Sequence, residues 1–118
     1  MNAKDELGRT GEQMAVEYLE RAGLRILDRN WRSTIGELDI VAAERRVLVV
    51  CEVKTRSGAG FGTPLEAITR HKQARLRRLA AQWLVAHGVL FDEVRIDAIG
   101  VLRDPSGEFQ IEHVRGVG

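Results

Sequence analysis

A chain of 118 residues that is 44% apolar can bury one real core and is too apolar for wholesale disorder. Its formal net charge of +1 does not by itself mark a nucleic-acid binder, so any electropositive surface must come from local placement of Lys and Arg. No apolar run is long enough to span a bilayer, the opening MNAKDELGRTGEQ lacks the apolar stretch of a signal peptide, and the lone Cys51 excludes an internal disulfide and a cysteine-based zinc site. A soluble cytoplasmic protein with no membrane partner is expected.

Leu7, Met14, Ala15, Tyr18, Leu19 and Ala22 recur at helical spacing and predict a helix from about Asp5 to Ala22, stopped by Gly23. Gly8 and Gly11 weaken its first turns. Leu24 to Arg32 reads as a strand. Gly36 to Ala42 and Val47 to Lys54 form a hairpin by pattern, with a charged tip at Glu44, Arg45 and Arg46. SGAGFG (Ser57 to Gly62) is a flexible loop; no GK[ST] follows its glycines, so it is not a nucleotide phosphate loop.

Thr63 as N-cap, Pro64 at the first helical position and Glu66 closing a capping box predict a second helix from there to His87, ended by Gly88. Val89 to Val101 reads as a strand, Asp104 to Gly107 as a tight turn, and Phe109 to Val114 as a last strand. The order is helix, three strands, helix, two strands. It predicts an α/β domain over residues 1–118 with a central mixed sheet flanked by helices.

The hairpin carries charges where strands usually bury apolar side chains. Strand alternation places Glu37, Asp39 and Val41 on one face, and Glu52 and Lys54 on one face with Leu48 and Val50. If Ala43 pairs with Leu48, Asp39 lies opposite Glu52 and Glu37 opposite Lys54, so the charges converge on one patch. Facing carboxylates destabilise a sheet unless a cation lies between them. Magnesium suits such a position, because it takes oxygen ligands and leaves room for water and phosphate. A lysine two residues beyond an acid shares its face and can orient water or neutralise developing negative charge. The competing structural reading is a Glu37–Lys54 ion pair with Asp39 and Glu52 solvated at a sheet edge.

Asp39 followed by Glu52-Val53-Lys54 on the next strand resembles the PD-(D/E)XK nuclease motif, and the element order resembles the restriction-endonuclease-like fold and the archaeal Holliday-junction resolvases. GRTGEQMAVEYL, RNWR, GELDIVA, EVKTR with FGTPLEAIT, and RIDAI together resemble the YraN family of small bacterial proteins over most of the chain. The resemblance implies Asp39, Glu52 and Lys54 as catalytic residues, with Mg2+ or Mn2+ held by Asp39 and Glu52. Glu12 matches a glutamate on the first helix that joins the metal site in resolvase-like members. Leu38 departs from the motif by standing where proline precedes the acid. The implied activity is endonucleolytic hydrolysis of phosphodiester bonds, with DNA favoured over RNA and a homodimer left open.

Arg70 to Arg78, RHKQARLRR, holds five cations and no acid. Arg70, Lys72, Gln73, Arg75 and Arg78 are the candidate nucleic-acid contacts of the second helix; Lys72 interrupts its apolar stripe, and a solvated basic face is the plainer reading of the run. Trp31 and Trp83 are expected in or near the core. His71, His87 and His113 show no metal-ligand spacing. Asp97 supports the sheet or a neighbouring arginine, and Cys51 is a buried apolar residue on the Val49 and Val53 face. Two further readings stay open: a non-catalytic nucleic-acid-binding or assembly module that keeps the nuclease fold, and an interaction protein whose charged hairpin is structural.

Overall fold

The computed structural model describes residues 2–58 and 68–117. Helix α1 (Ala3–Arg21) starts where the Asn2 side chain accepts from the Asp5 N–H at 2.9 Å. This satisfies one of the donors that a helix start leaves orphaned, and Asp5 and Glu6 add negative charge at the positive end of the helix dipole. Strands β1 (Arg25–Ser33), β2 (Gly36–Glu44) and β3 (Val47–Ser57) follow, then helix α2 (Arg70–His87) and strands β4 (Glu93–Arg103) and β5 (Phe109–Val114).

Spatial order equals chain order, β1-β2-β3-β4-β5, with β3 and β4 parallel and the other neighbours antiparallel. A parallel pair cannot be joined by a tight turn, and the segment that carries α2 is the crossover it needs. The result is the expected mixed five-stranded sheet with two helices, α-β-β-β-α-β-β, the arrangement of a restriction-endonuclease-like fold.

Each helix covers one face. Ala15, Val16 and Leu19 of α1 pack with Ile40, Ala42, Val49, Cys51, Ile99 and Val101. Leu76, Leu79, Ala80 and Trp83 of α2 pack with Leu38, Val41, Leu48, Val50, Ile96 and Ala98. β3 therefore reads VLVVC without alternation because both of its faces are buried. Trp83 and Cys51 lie in these cores as expected, and Trp31 is half-buried against the α2 side. Among the described residues no helix is long and apolar enough to cross a membrane.

Two predicted boundaries are corrected. The second helix does not run unbroken from Thr63, because Thr69 is extended (φ −78°, ψ 167°) and is itself the N-cap. Its hydroxyl accepts from the Lys72 N–H at 3.1 Å and its carbonyl from the Gln73 N–H at 2.9 Å. Pro64 and Glu66 lie outside the described residues. At the far end Gly88 takes φ 62°, a left-handed cap that glycine adopts without strain. The fourth strand then begins at Glu93 rather than Val89. Val89 and Leu90 are exposed, and the Asp92 N–H donates to the Arg46 carbonyl at 2.9 Å before pairing with β3 begins.

Gly11 is buried where α1 crosses β3, and a methyl group there would overlap Thr55 Oγ1 and lie 2.6 Å from Thr55 Cγ2. The missing side chain is what lets α1 press its next residue, Glu12, against the sheet. Gly11→Ala is expected to destabilise the protein by about 1–3 kcal/mol through overpacking, despite alanine's better helix propensity, with part of the loss recovered by Thr55→Ala. Urea denaturation of the single and double variants measures this; a more stable Gly11→Ala protein would overturn the close docking.

Candidate active site

Ala43 pairs with Leu48, as expected, and the β2–β3 ladder runs from Glu44 opposite Val47 to Ile40 opposite Cys51. One rung further, Asp39 would face Glu52 in a regular ladder. Instead the strands part there, and Asp39 Oδ2 accepts from the Val53 N–H at 2.9 Å. A side-chain oxygen thus satisfies a β3 donor that the ladder no longer serves.

The same rung is irregular towards β1. Arg29 pairs with Ile40 and Trp31 with Leu38, but Asn30 and Asp39 between them make no ladder pair. Leu38 belongs to the α2-side core and Ile40 to the α1-side core, although residues two apart on a regular strand share a face. The pleat therefore reverses at Asp39. It reverses at Asn30 too, whose φ of 52° is left-handed. Asn30 Nδ2 donates to Glu12 Oε1 at 2.7 Å, while Arg29 Nη1 donates to Gln13 Oε1 at 2.9 Å and Nη2 to Glu12 Oε1 at 3.4 Å.

The expectation that Glu37, Asp39 and Val41 share one face is corrected by this reversal: Val41 is buried against α2, whereas Asp39 and Glu37 open into a cavity of about 920 Å³ together with Glu12, Lys54, Asn30, Arg9, Arg29 and Arg32. Glu37 does not pair with Lys54. It accepts from Arg32 Nε at 2.6 Å, and among the described residues Lys54 has no ion-pair partner.

Glu52 follows the Leu48 and Val50 parity towards α2, where Lys72 Nζ lies 2.8 Å from Oε1. The four charges therefore do not converge on one patch as expected: Glu52 and Lys72 pair on the α2 side, and neither lines the cavity that holds Glu37, Asp39 and Lys54. Gln73 beside Lys72 is half-buried, Arg75 is half-buried next to Gly36, and Arg70 and Arg78 are exposed.

Asp39 has an unfavourable environment for a charge. Burial first, and the Glu52 carboxylate second, push its carboxyl from the ordinary 3.8 up to about 7; Glu12 and Glu37 act in the same sense, and the Val53 N–H only partly opposes them. Asp97 is the contrasting case. It is fully buried, and burial alone would raise it, but His113 Nε2 at 2.7 Å, Arg95 Nε and Nη2 at 2.9 and 3.1 Å and the Gly116 N–H at 3.0 Å hold it down at about 2. Arg95 also donates to Glu44 at 2.8 Å, and Tyr18 of α1 contacts His113 Nδ1 at 3.0 Å. The expected support of the sheet by Asp97 and a neighbouring arginine is thus present. The part played by His113 and Tyr18 was not legible, since it takes the β4–β5 pairing to bring His113 beside Asp97 and the packing of α1 on the sheet to bring Tyr18 to His113.

The donor set suits a divalent cation electrostatically, because carboxylates crowd one cavity and raise the cost of ionising Asp39. It is not a finished cage. Among the described residues no group of three or more His, Cys, Asp or Glu side chains is placed to hold a metal ion, since Glu12 is drawn to Asn30 and Arg29 and Glu52 to Lys72. Asp39 and Glu12 face the shared cavity, and magnesium commonly takes only one or two carboxylates with water completing its shell.

The mixed five-stranded sheet with two helices in the order α-β-β-β-α-β-β gives the chain a restriction-endonuclease-like fold. The model of the family described as "Uncharacterised protein family UPF0102" matches residues 11–101, and the chain belongs to that family, the YraN family its motifs resemble. It is 54% identical to a UPF0102 protein of Beutenbergia cavernae over 118 residues, covering 100% of both chains. It is 50% identical to one of an Arthrobacter species over 118 residues, again 100% of both. A Frankia alni relative is 52% identical over 116 residues, 98% of this chain and 97% of its own.

Asp39 and Asp97 give stability opposite pH dependences. Asp39 holds its proton more tightly folded than unfolded, so between about pH 4 and 7 the folded state binds more protons and stability falls as pH rises. The ionised form costs on the order of 4 kcal/mol above pH 7. Asp97 is the reverse: its contribution is present above about pH 4 and is lost as pH falls towards 2. In metal-free buffer the protein is expected to be most stable near pH 4–5, and Asp39→Asn to remove most of the decline towards pH 8. Denaturation at pH 5 and pH 8 checks it; parallel losses in wild type and variant would show that Asp39 is not the group responsible.

Proposed function

We propose that this protein is a Mg2+- or Mn2+-dependent phosphodiesterase acting on nucleic acid, DNA in preference to RNA. The observation that carries this reading is the Asp39 carboxylate, half-buried among other acids at the point where β2 leaves β3, in a cavity also lined by Glu12 and by Lys54, which has no ion-pair partner among the described residues. Asp39 satisfies the Val53 N–H, but a neutral Asn could accept that bond too, and an acid with one donor and three acidic neighbours costs stability when ionised. Bound at Asp39 with Glu12 or Glu52, the cation would supply a Lewis acid for phosphate oxygen and lower the pKa of water. Lys54 lines the same cavity, where its ammonium can place positive charge beside a scissile phosphate. Arg9 and Arg32 on the rim suit the flanking phosphates of a polyanion, and Arg70 and Arg78 extend a basic surface along α2.

A non-catalytic nucleic-acid-binding module is the second reading, favoured by the ion pairs that already engage Glu12 and Glu52. The two readings separate on two variants. In the nuclease, manganese raises the melting temperature of wild type, Asp39→Asn loses that gain, and Lys54→Ala keeps it while cleavage of a DNA substrate falls by roughly 100-fold or more. In the binding module, DNA binding persists without metal and neither variant changes it. A wild type whose melting ignores manganese and which leaves DNA intact overturns the proposal.

The α2 contacts are tested separately. Arg70→Ala with Arg78→Ala removes exposed cations with little effect on the fold. The slope of log affinity for DNA against log salt should shrink by roughly 2, as expected for two lost phosphate contacts. An unchanged slope would return these arginines to a merely solvated face.

A further inference from the structure

Asn30 is the residue in the cavity that neither the motif nor the ladder explains. It is a non-glycine residue at φ 52°, held left-handed in the middle of β1. Left-handed backbone for Asn is tolerated but not preferred, so something must hold it there. The β1–β2 register is the same on both sides of it, with Arg29 opposite Ile40 and Trp31 opposite Leu38, so no residue has been inserted. What changes is direction. Trp31 keeps its place against the α2-side core, while Asn30 and Arg29 in succession turn to α1. The amide of Asn30 ends 2.7 Å from Glu12 Oε1 and lines the cavity that Asp39 opens into.

We infer that Asn30 is a positioning residue: its reversed backbone and side-chain amide hold Glu12 in the Asp39 cavity, so that one glutamate oxygen is anchored on β1 and the other is left to a cation. This rests on the reading of the cavity as a metal site. The geometry fits the role. A glutamate at this position on α1 has three rotatable bonds, and the Arg29 Nη2 hydrogen bond at 3.4 Å is longer than that of the Asn30 amide at 2.7 Å. The amide is a neutral donor. It fixes the carboxylate without neutralising it, which a second arginine would do. Partners that orient a metal-binding side chain commonly change metal affinity when removed, by roughly 10–100-fold.

Asn30→Gly is the informative variant, because glycine accepts φ 52° without strain and only the amide is lost. The expected result is wild-type unfolding behaviour at low pH but manganese affinity weakened by roughly 10-fold or more in calorimetric titration. In an Glu12→Gln background the same substitution should bring no further loss, since the effect acts through Glu12. Wild-type affinity for Asn30→Gly, or an equal loss in the Glu12→Gln background, overturns the inference. A metal-free measurement keeps it separable from the reading it rests on. The Asn30→Gly and Glu12→Ala double-mutant cycle on urea unfolding at neutral pH should show coupling of roughly threefold or more in the unfolding constant. If wild type takes up no manganese, the nuclease reading fails, and this coupling alone decides whether Asn30 positions Glu12.

Discussion

The structure turns on one hydrogen bond, from the Val53 N–H to the Asp39 carboxylate. At that rung β2 has stopped pairing with β3, while β3 goes on pairing with β4 as far as Ser57. A β3 donor facing an open seam must find a partner, and the aspartate is that partner. One contact therefore ends the hairpin ladder without orphaning backbone and fixes an acid at the mouth of the opening. It also commits the acid to a poorly hydrated position, which is why its neighbours weigh so heavily on its ionisation.

Asp39 and Asp97 show how differently a sheet can treat two such acids. Asp97 has no exposure at all, yet an imidazole, a guanidinium and a backbone N–H surround it, and its charge is stabilised. It ties β4 to β5 and the chain after β5, and Glu44 at the end of β2 joins through Arg95. Asp39 is less buried and worse provided for, with one donor and three acids around it. Burial alone would not tell these roles apart. The count of donors does: a carboxylate that is fully satisfied serves the fold, whereas one left short of partners has capacity for a group from outside.

Much of this was legible because the sheet is regular where it is apolar. The hairpin register as far as Ile40 opposite Cys51, the parity of Cys51 and the last strand follow from period-two patterning and turn chemistry, but the expected pairing of Asp39 with Glu52 does not form, because the ladder ends one rung earlier. What sequence could not give is the reversal of the pleat. Alternation extrapolated from Val41 to Asp39 fails because Asn30 and Asp39 turn together, and nothing in the residues N-terminal or C-terminal to either announces it. Asn is among the few residues that tolerate the left-handed region, so the signal in RNWR was present but weak. The start of α2 was missed for a related reason. Thr63 and Thr69 are both competent caps, and the Thr63 site has the fuller capping box, yet Thr69 is the one used as the cap of Arg70–His87.

The ion pair between Lys72 and Glu52 bears on how the opening is kept without a cation. Both side chains are mostly shielded, at 22% and 11% exposure, and they lie 2.8 Å apart. An unpaired glutamate there would face Asp39 across the seam with nothing to screen the repulsion. α2 supplies the missing charge from its first turn, where Thr69 has just capped the helix. The ammonium thus stands in for positive charge on the α2 side of the sheet, while on the α1 side Asn30 and Arg29 do the corresponding work for Glu12. Asp39, between the two, is the acid for which the chain provides no cation of its own within hydrogen-bonding distance among the described residues. The acid with a single hydrogen-bond donor among the described residues therefore stands where the β2–β3 ladder ends.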